Sequence, residues 1–174
     1  MSPNLGDFAV VHVTGTVGWF IRFGQWINGN GFSDFEHAFV YVGNNKIVEA
    51  EPGGAKLNDL SRYDGRRIAW YSAPIDKRED IAYHARLLIG VKYSFLDYLS
   101  IALLRLKIFA PRYGWVAYLL RDYVASTGHL ICSQLVDASY LNAGASLFAD
   151  GRFTGDVTPA NLYKLILEQN GELE

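Results

Sequence analysis

Apolar and polar positions recur with two different periods along this chain, and the change of period divides it in two. Residues 8–13 form a short apolar run of strand character, and residues 17–27 carry Trp19, Phe20, Phe23 and Ile27 at helical spacing. Residues 28–34, rich in Asn, Gly, Ser and Asp, read as a loop. The clearest local signal follows. Residues 37–42 and 46–51 are alternating runs joined by Gly43, Asn44 and Asn45, which predicts a β-hairpin. Pro52, Gly53 and Gly54 are expected to end the second run, and residues 67–72 read as a further strand.

Beyond Pro74 the period becomes helical. Residues 77–89 place charges early and Leu87 and Leu88 late, and close on Gly90. Residues 96–108 and 115–124 read as two more helices, separated by Pro111 and Gly114. Residues 132–143 predict a helix ending at Gly144, a suitable left-handed C-terminal cap. Thr158 and Pro159 supply an N-cap and a first-turn proline for a last helix reaching about Leu167. A strand-rich half before a helix-rich half predicts an α+β fold, an antiparallel sheet packed against helices. No repeat, low-complexity segment or linker interrupts it, so residues 1–174 are expected to form a single domain.

Composition narrows the possibilities. Half of the residues are hydrophobic and 14% aromatic, which argues against disorder. A net charge of −2 offers no electrostatic footprint for nucleic acid, so no nucleic-acid partner is expected. The first residues lack the basic flank and apolar stretch of a secretory signal. No uncharged apolar run reaches the ~18 residues that a membrane span needs. A soluble, cytoplasmic protein is expected, with export by another route left open. The lone cysteine rules out an internal disulfide and fits a reducing compartment.

That cysteine, Cys132, is also the first candidate for chemistry. It opens the helical segment 132–143, where free backbone N–H groups of a first turn stabilise an anion and could receive an oxyanion. The bland account is that Cys132 shares a buried face with Leu135, Val136, Ser139 and Ala143 and is simply a small apolar residue. A thiol nucleophile needs a base and a group that orients it. Among His12, His37, His84 and His129, His37 stands out because it heads a strand that is apolar on both faces, where a polar group needs a partner. A three-residue hairpin loop puts His37, Phe39 and Tyr41 on one face with Glu49 and Glu51. Glu51 then lies opposite His37 and Glu49 diagonal to it, and strand geometry does not choose between them. A two-residue loop would send both carboxylates to the other face.

These residues resemble the permuted branch of the NlpC-type, papain-like cysteine hydrolases, relatives of the lecithin retinol acyltransferase-like proteins. The matching pieces are Gly6-Asp7-Phe8, the run from His37 to Gly43, Ile47 to Ala50, Gly90 to Tyr93, Cys132 to Val136, and Thr158-Pro159. Histidine precedes cysteine in this order, as in the permuted class. The resemblance implies a circularly permuted papain-like core with Cys132 as nucleophile and His37 as its base. It implies Glu49, twelve residues after the histidine, as the third catalytic group, and Tyr93 beside the nucleophile, where it would bind substrate. Residues 94–131 depart from the pattern as a hydrophobic helical insertion with four basic residues. That segment could cover a cleft, hold an acyl chain, dimerise or touch a membrane surface, or simply pack on the core.

The resulting expectation is a cysteine peptidase or amidase that cleaves a peptide, peptidoglycan-peptide or isopeptide-like bond through a thioester. It would use a Cys132–His37–Glu49 triad and neither metal nor cofactor. The rival expectations are a lipid acyltransferase or thioesterase acting on lipid-linked substrates with the same residues, and a non-catalytic binding module.

Overall fold

The structure is a computed structural model that describes residues 2–13, 35–51, 54–91 and 132–172. Five strands make one antiparallel sheet: β1 (Phe8–Val11), β2 (His37–Gly43), β3 (Lys46–Glu51), β4 (Gly54–Asp59) and β5 (Ile68–Tyr71), in the order β4-β3-β2-β1-β5. Three α-helices accompany it among the described residues: α1 (Arg78–Leu87), α2 (Cys132–Asn142) and α3 (Pro159–Gln169). The fold is α+β, as the pattern of periods predicts.

Each face of the sheet has its own apolar layer. Phe8, Val10, Ala38, Val40, Val42, Val48 and Ala50 pack against residues of the three helices, among them Ile81, Leu135, Tyr140, Leu162 and Ile166. Ala9, Val11, Phe39 and Ile47 form a smaller cluster on the other face with Tyr63, flanked by Trp70 and Tyr41. The strands β1 and β2 are apolar on both faces because both faces are covered. Helix α2 is buried on more than one side. Ser133, Gln134, Asp137 and Ser139 are buried along with its apolar residues, and the Ser133 and Ser139 hydroxyls donate to the Val157 and Leu135 carbonyls.

One sequence expectation needs correction, and one strand goes unannounced in the sequence. The second run ends at Glu51, as expected, but a further strand follows: β4 begins at Gly54 and pairs with β3 from Glu51↔Gly54 to Lys46↔Asp59. Its signal is weak because it is an edge strand whose Lys56 and Leu57 are exposed, so no clean alternation is written into it. The hairpin is also tighter than expected. Asn44 and Asn45 both take positive φ, 53° and 57°, as a two-residue type I′ turn requires. A bulge between Tyr41 and Gly43 adds back one residue of register, so Phe39 faces Glu49 and Tyr41 faces Ile47. The carboxylates therefore keep the face that a three-residue loop gives them.

Several boundaries follow the local chemistry. Thr158 and Asn161 form a reciprocal capping box at the start of α3, with Pro159 in its first turn. Gly144, after α2, has φ +72°, the left-handed cap its position suggests. Helix α1 is shorter than the expected 77–89 and is preceded by a 3-10 turn, Ile75–Lys77. The expected helices at 17–27, 96–108 and 115–124, the loop 28–34, Tyr93, His129 and the insertion 94–131 lie outside the described residues. No helix among the described residues is long and apolar enough to cross a membrane.

Candidate active site

His37 is the first residue of β2, where the sheet ends. Its Nε2 lies 2.6 Å from Glu49 Oε2. Cys132, the first described residue of α2, is the ring's second neighbour, near enough for its charge and hydrogen bonding to raise the imidazole pKa. Cys132 belongs to the helix-side core and is 5% exposed, whereas Glu49 is fully buried next to Phe39 across the strand pair. The imidazole at the strand's end connects the two.

The register explains which glutamate is used. Glu49 is paired with Phe39, two residues along from His37, and reaches the ring diagonally. Glu51 turns instead to Arg62 Nη1 at 2.6 Å and Lys56 Nζ at 3.4 Å. Geometry thus separates two carboxylates that strand parity leaves equivalent.

Three further residues surround Glu49, and the sequence reading did not single them out. Tyr63 OH donates to Oε2 at 2.5 Å, Asn58 Nδ2 to Oε1 at 2.8 Å, and Arg62 Nη1 to Oε1 at 2.6 Å. They come from the end of β4 and the 3-10 turn Leu60–Tyr63. Tyr63 is fixed by stacking on Phe39, with ring centroids 5.3 Å apart and planes within 9°. The only signal available in the sequence was an Arg-Tyr pair thirteen residues beyond Glu49, and without β4 nothing places it there.

The electrostatics are those of a coupled pair. Burial alone would strip the proton from His37, but the neighbouring Cys132 and Glu49 outweigh it and push the imidazole up to about 10. Burial likewise opposes charge on Glu49, yet the hydrogen bond and charge of His37, with help from Tyr63 and Asn58, hold the carboxyl at about 2. His37 is therefore an imidazolium, and Glu49 a carboxylate, at neutral pH.

The other residues of the motif Gly6-Asp7-Phe8 have structural roles. Gly6 has φ +82°, and a Cβ there would stand 2.6 Å from the Arg78 carbonyl oxygen. Its own carbonyl accepts the Tyr140 hydroxyl at 2.9 Å, tying β1 to α2. The buried Asp7 carboxylate accepts from the backbone N–H groups of Asn4 and Ala73 at 2.8 and 2.9 Å. His12 pairs through Nδ1 with Glu36 Oε2 at 3.1 Å.

No protein-family model matches this chain, and no curated protein matches it.

Among the described residues, no group of three His, Cys, Asp or Glu side chains could hold a metal ion. What the arrangement offers is a sulfur, a protonated imidazole and a fixed carboxylate in series.

Proposed function

We propose that this chain is a cysteine hydrolase with a permuted papain-like core, cleaving an amide bond through a thioester. The observation that carries the reading is the His37 ring, bound to Glu49 through Nε2 and electrostatically coupled to Cys132 from the far half of the chain. The likeness of the motif order to permuted papain-like hydrolases supports it independently.

The chemistry then runs in two stages. Cys132 Sγ, as thiolate, attacks the substrate carbonyl, and its electron pair forms the C–S bond while the carbonyl oxygen takes the negative charge. Collapse of that intermediate breaks the C–N bond, and the imidazolium of His37 delivers its proton to the departing amine. Neutral His37 next takes a proton from water, whose oxygen attacks the thioester. Release of the carboxylic acid returns the sulfur as thiolate and leaves His37 protonated. Glu49 keeps the ring turned towards the sulfur and stabilises its charge throughout. Substrates of this class are peptides, peptidoglycan peptides and isopeptide-like or lipid-linked amides.

The test is direct. The protein is treated with a thiol-directed acyl probe and with a panel of fluorogenic peptide and acyl-amide substrates. Cys132→Ala should abolish both labelling and turnover while circular dichroism shows an unchanged fold; full turnover in that variant would refute the mechanism. The composition of residues 94–131, rich in Leu, Ile, Tyr and Trp with basic residues interspersed, favours a second reading in which the acyl donor is a lipid. Acyl transfer from phospholipid vesicles, lost in Cys132→Ala, would favour that reading over peptide hydrolysis.

A further inference from the structure

A triad carboxylate needs only one good bond to its histidine, yet Glu49 is held on every side. An ionised carboxylate has about four acceptor sites. Oε2 takes His37 Nε2 and the Tyr63 hydroxyl, at 2.6 and 2.5 Å, and Oε1 takes Asn58 Nδ2 and Arg62 Nη1, at 2.8 and 2.6 Å. Three of the four donors come from the stretch between Asn58 and Tyr63. Two of these donors are themselves fixed: Tyr63 by its stack on Phe39, Arg62 by its second contact to Glu51 Oε1 at 2.6 Å. A single cation would neutralise the buried charge. Donors on both oxygens also remove the freedom of the carboxylate to rotate.

We propose that Asn58, Arg62 and Tyr63 are positioning residues that lock Glu49 as an ionised, non-rotating acceptor for His37. Arg62, 40% exposed and shared with Glu51, is the part of the lock that meets solvent. The catalytic sense of this lock rests on the hydrolase reading of Cys132 and His37, but its existence can be tested without turnover.

Losing the Tyr63 hydroxyl removes one of two donors to Oε2, and losing the Arg62 guanidinium removes a donor and a positive charge from Oε1. Either change makes the charged carboxylate less favourable in its buried setting, so it takes up a proton at higher pH. A side chain that merely filled space would not produce that shift.

The experiment follows the Glu49 carboxyl carbon by NMR as pH is lowered, with Glu49→Gln used to assign the signal. Tyr63→Phe, Arg62→Gln and Arg62→Lys are compared with the unaltered protein, and circular dichroism confirms folding of each. The Glu49 midpoint should rise by about one unit in Tyr63→Phe and in Arg62→Gln, while Arg62→Lys retains most of the original value. The pH profile of Cys132 alkylation should move in the same direction at its acid limb. If both variants fold and Glu49 titrates as before, the lock does not exist. If the midpoints shift but Cys132 of the unaltered protein alkylates no faster than a simple thiol, the lock stands and the hydrolase reading falls.

Discussion

Two glutamates on the same strand face, two residues apart, share Arg62 and otherwise meet different partners. Glu49 is fully buried against His37, whereas Glu51 is partly exposed and divides its charge between Arg62 and Lys56. Replacing Glu49 with Gln keeps the shape but gives an amide that no longer compensates the imidazolium, so the ring loses its preferred direction and charge. Carboxylate removal in triads of this kind costs up to ~10⁴-fold in turnover. Glu49→Gln should lower the rate of probe labelling and turnover by roughly 10²- to 10⁴-fold, and Glu51→Gln by only a few-fold. Equal losses in the two variants, measured on the same substrate, would show that the structure has assigned the wrong carboxylate. In sequence, the pairing of His37 with this strand was readable, because a polar residue starting a doubly apolar strand needs a partner. Strand parity did not choose the glutamate, although the resemblance to permuted hydrolases implied Glu49. The residues that hold Glu49 in place, Asn58, Arg62 and Tyr63, arrive through a strand that the residue pattern conceals.

At the scale of elements, the hairpin between β2 and β3 and the turn into β1 position the site. The hairpin was legible from its alternation, while its bulge was not, because one extra residue in a ladder leaves little trace beyond Gly43. Strand β4 escaped notice because its exposed residues break the alternation and Gly53-Gly54 looks like a terminus. The turn at Gly6 is more demanding than any of these. Its positive φ and the Arg78 carbonyl 2.6 Å from a would-be Cβ leave no room for a side chain. Gly6→Ala must either shift the start of α1 or rotate the chain leading into β1, where Asp7 anchors Ala73. The expected loss of stability is about 2 kcal/mol or more, from backbone strain and overpacking together. Urea unfolding of the variant measures it, and a midpoint unchanged from that of the unaltered protein would mean that the approach to Arg78 relaxes freely.

Across the whole molecule, the His37–Glu49–Cys132 series joins the hairpin to a helix almost a hundred residues later in the chain, so its ionisation is coupled to folding itself. The fold raises His37 from 6.5 to about 10: burial opposes this, but the charge and hydrogen bonds of Cys132 and Glu49 prevail. A raised imidazole contributes its full stability below pH 6.5, loses it as pH climbs, and contributes nothing above about 10. Glu49 runs the other way. Its folded value of about 2, against 4.5 unfolded, gives a contribution complete above pH 4.5 that disappears as pH falls towards 2. Both contributions are complete together only between pH 4.5 and 6.5. Thermal unfolding midpoints followed from pH 3 to 10 should therefore reach a plateau across roughly that interval and decline on each side. His37→Gln should flatten the alkaline decline, since no imidazolium remains to be lost. Glu49→Gln should flatten the acid decline, and Cys132→Ala should weaken the alkaline slope without abolishing it, because Glu49 still holds the ring. An alkaline decline of the same steepness in His37→Gln would place the responsible group elsewhere in the protein and detach this site from its stability.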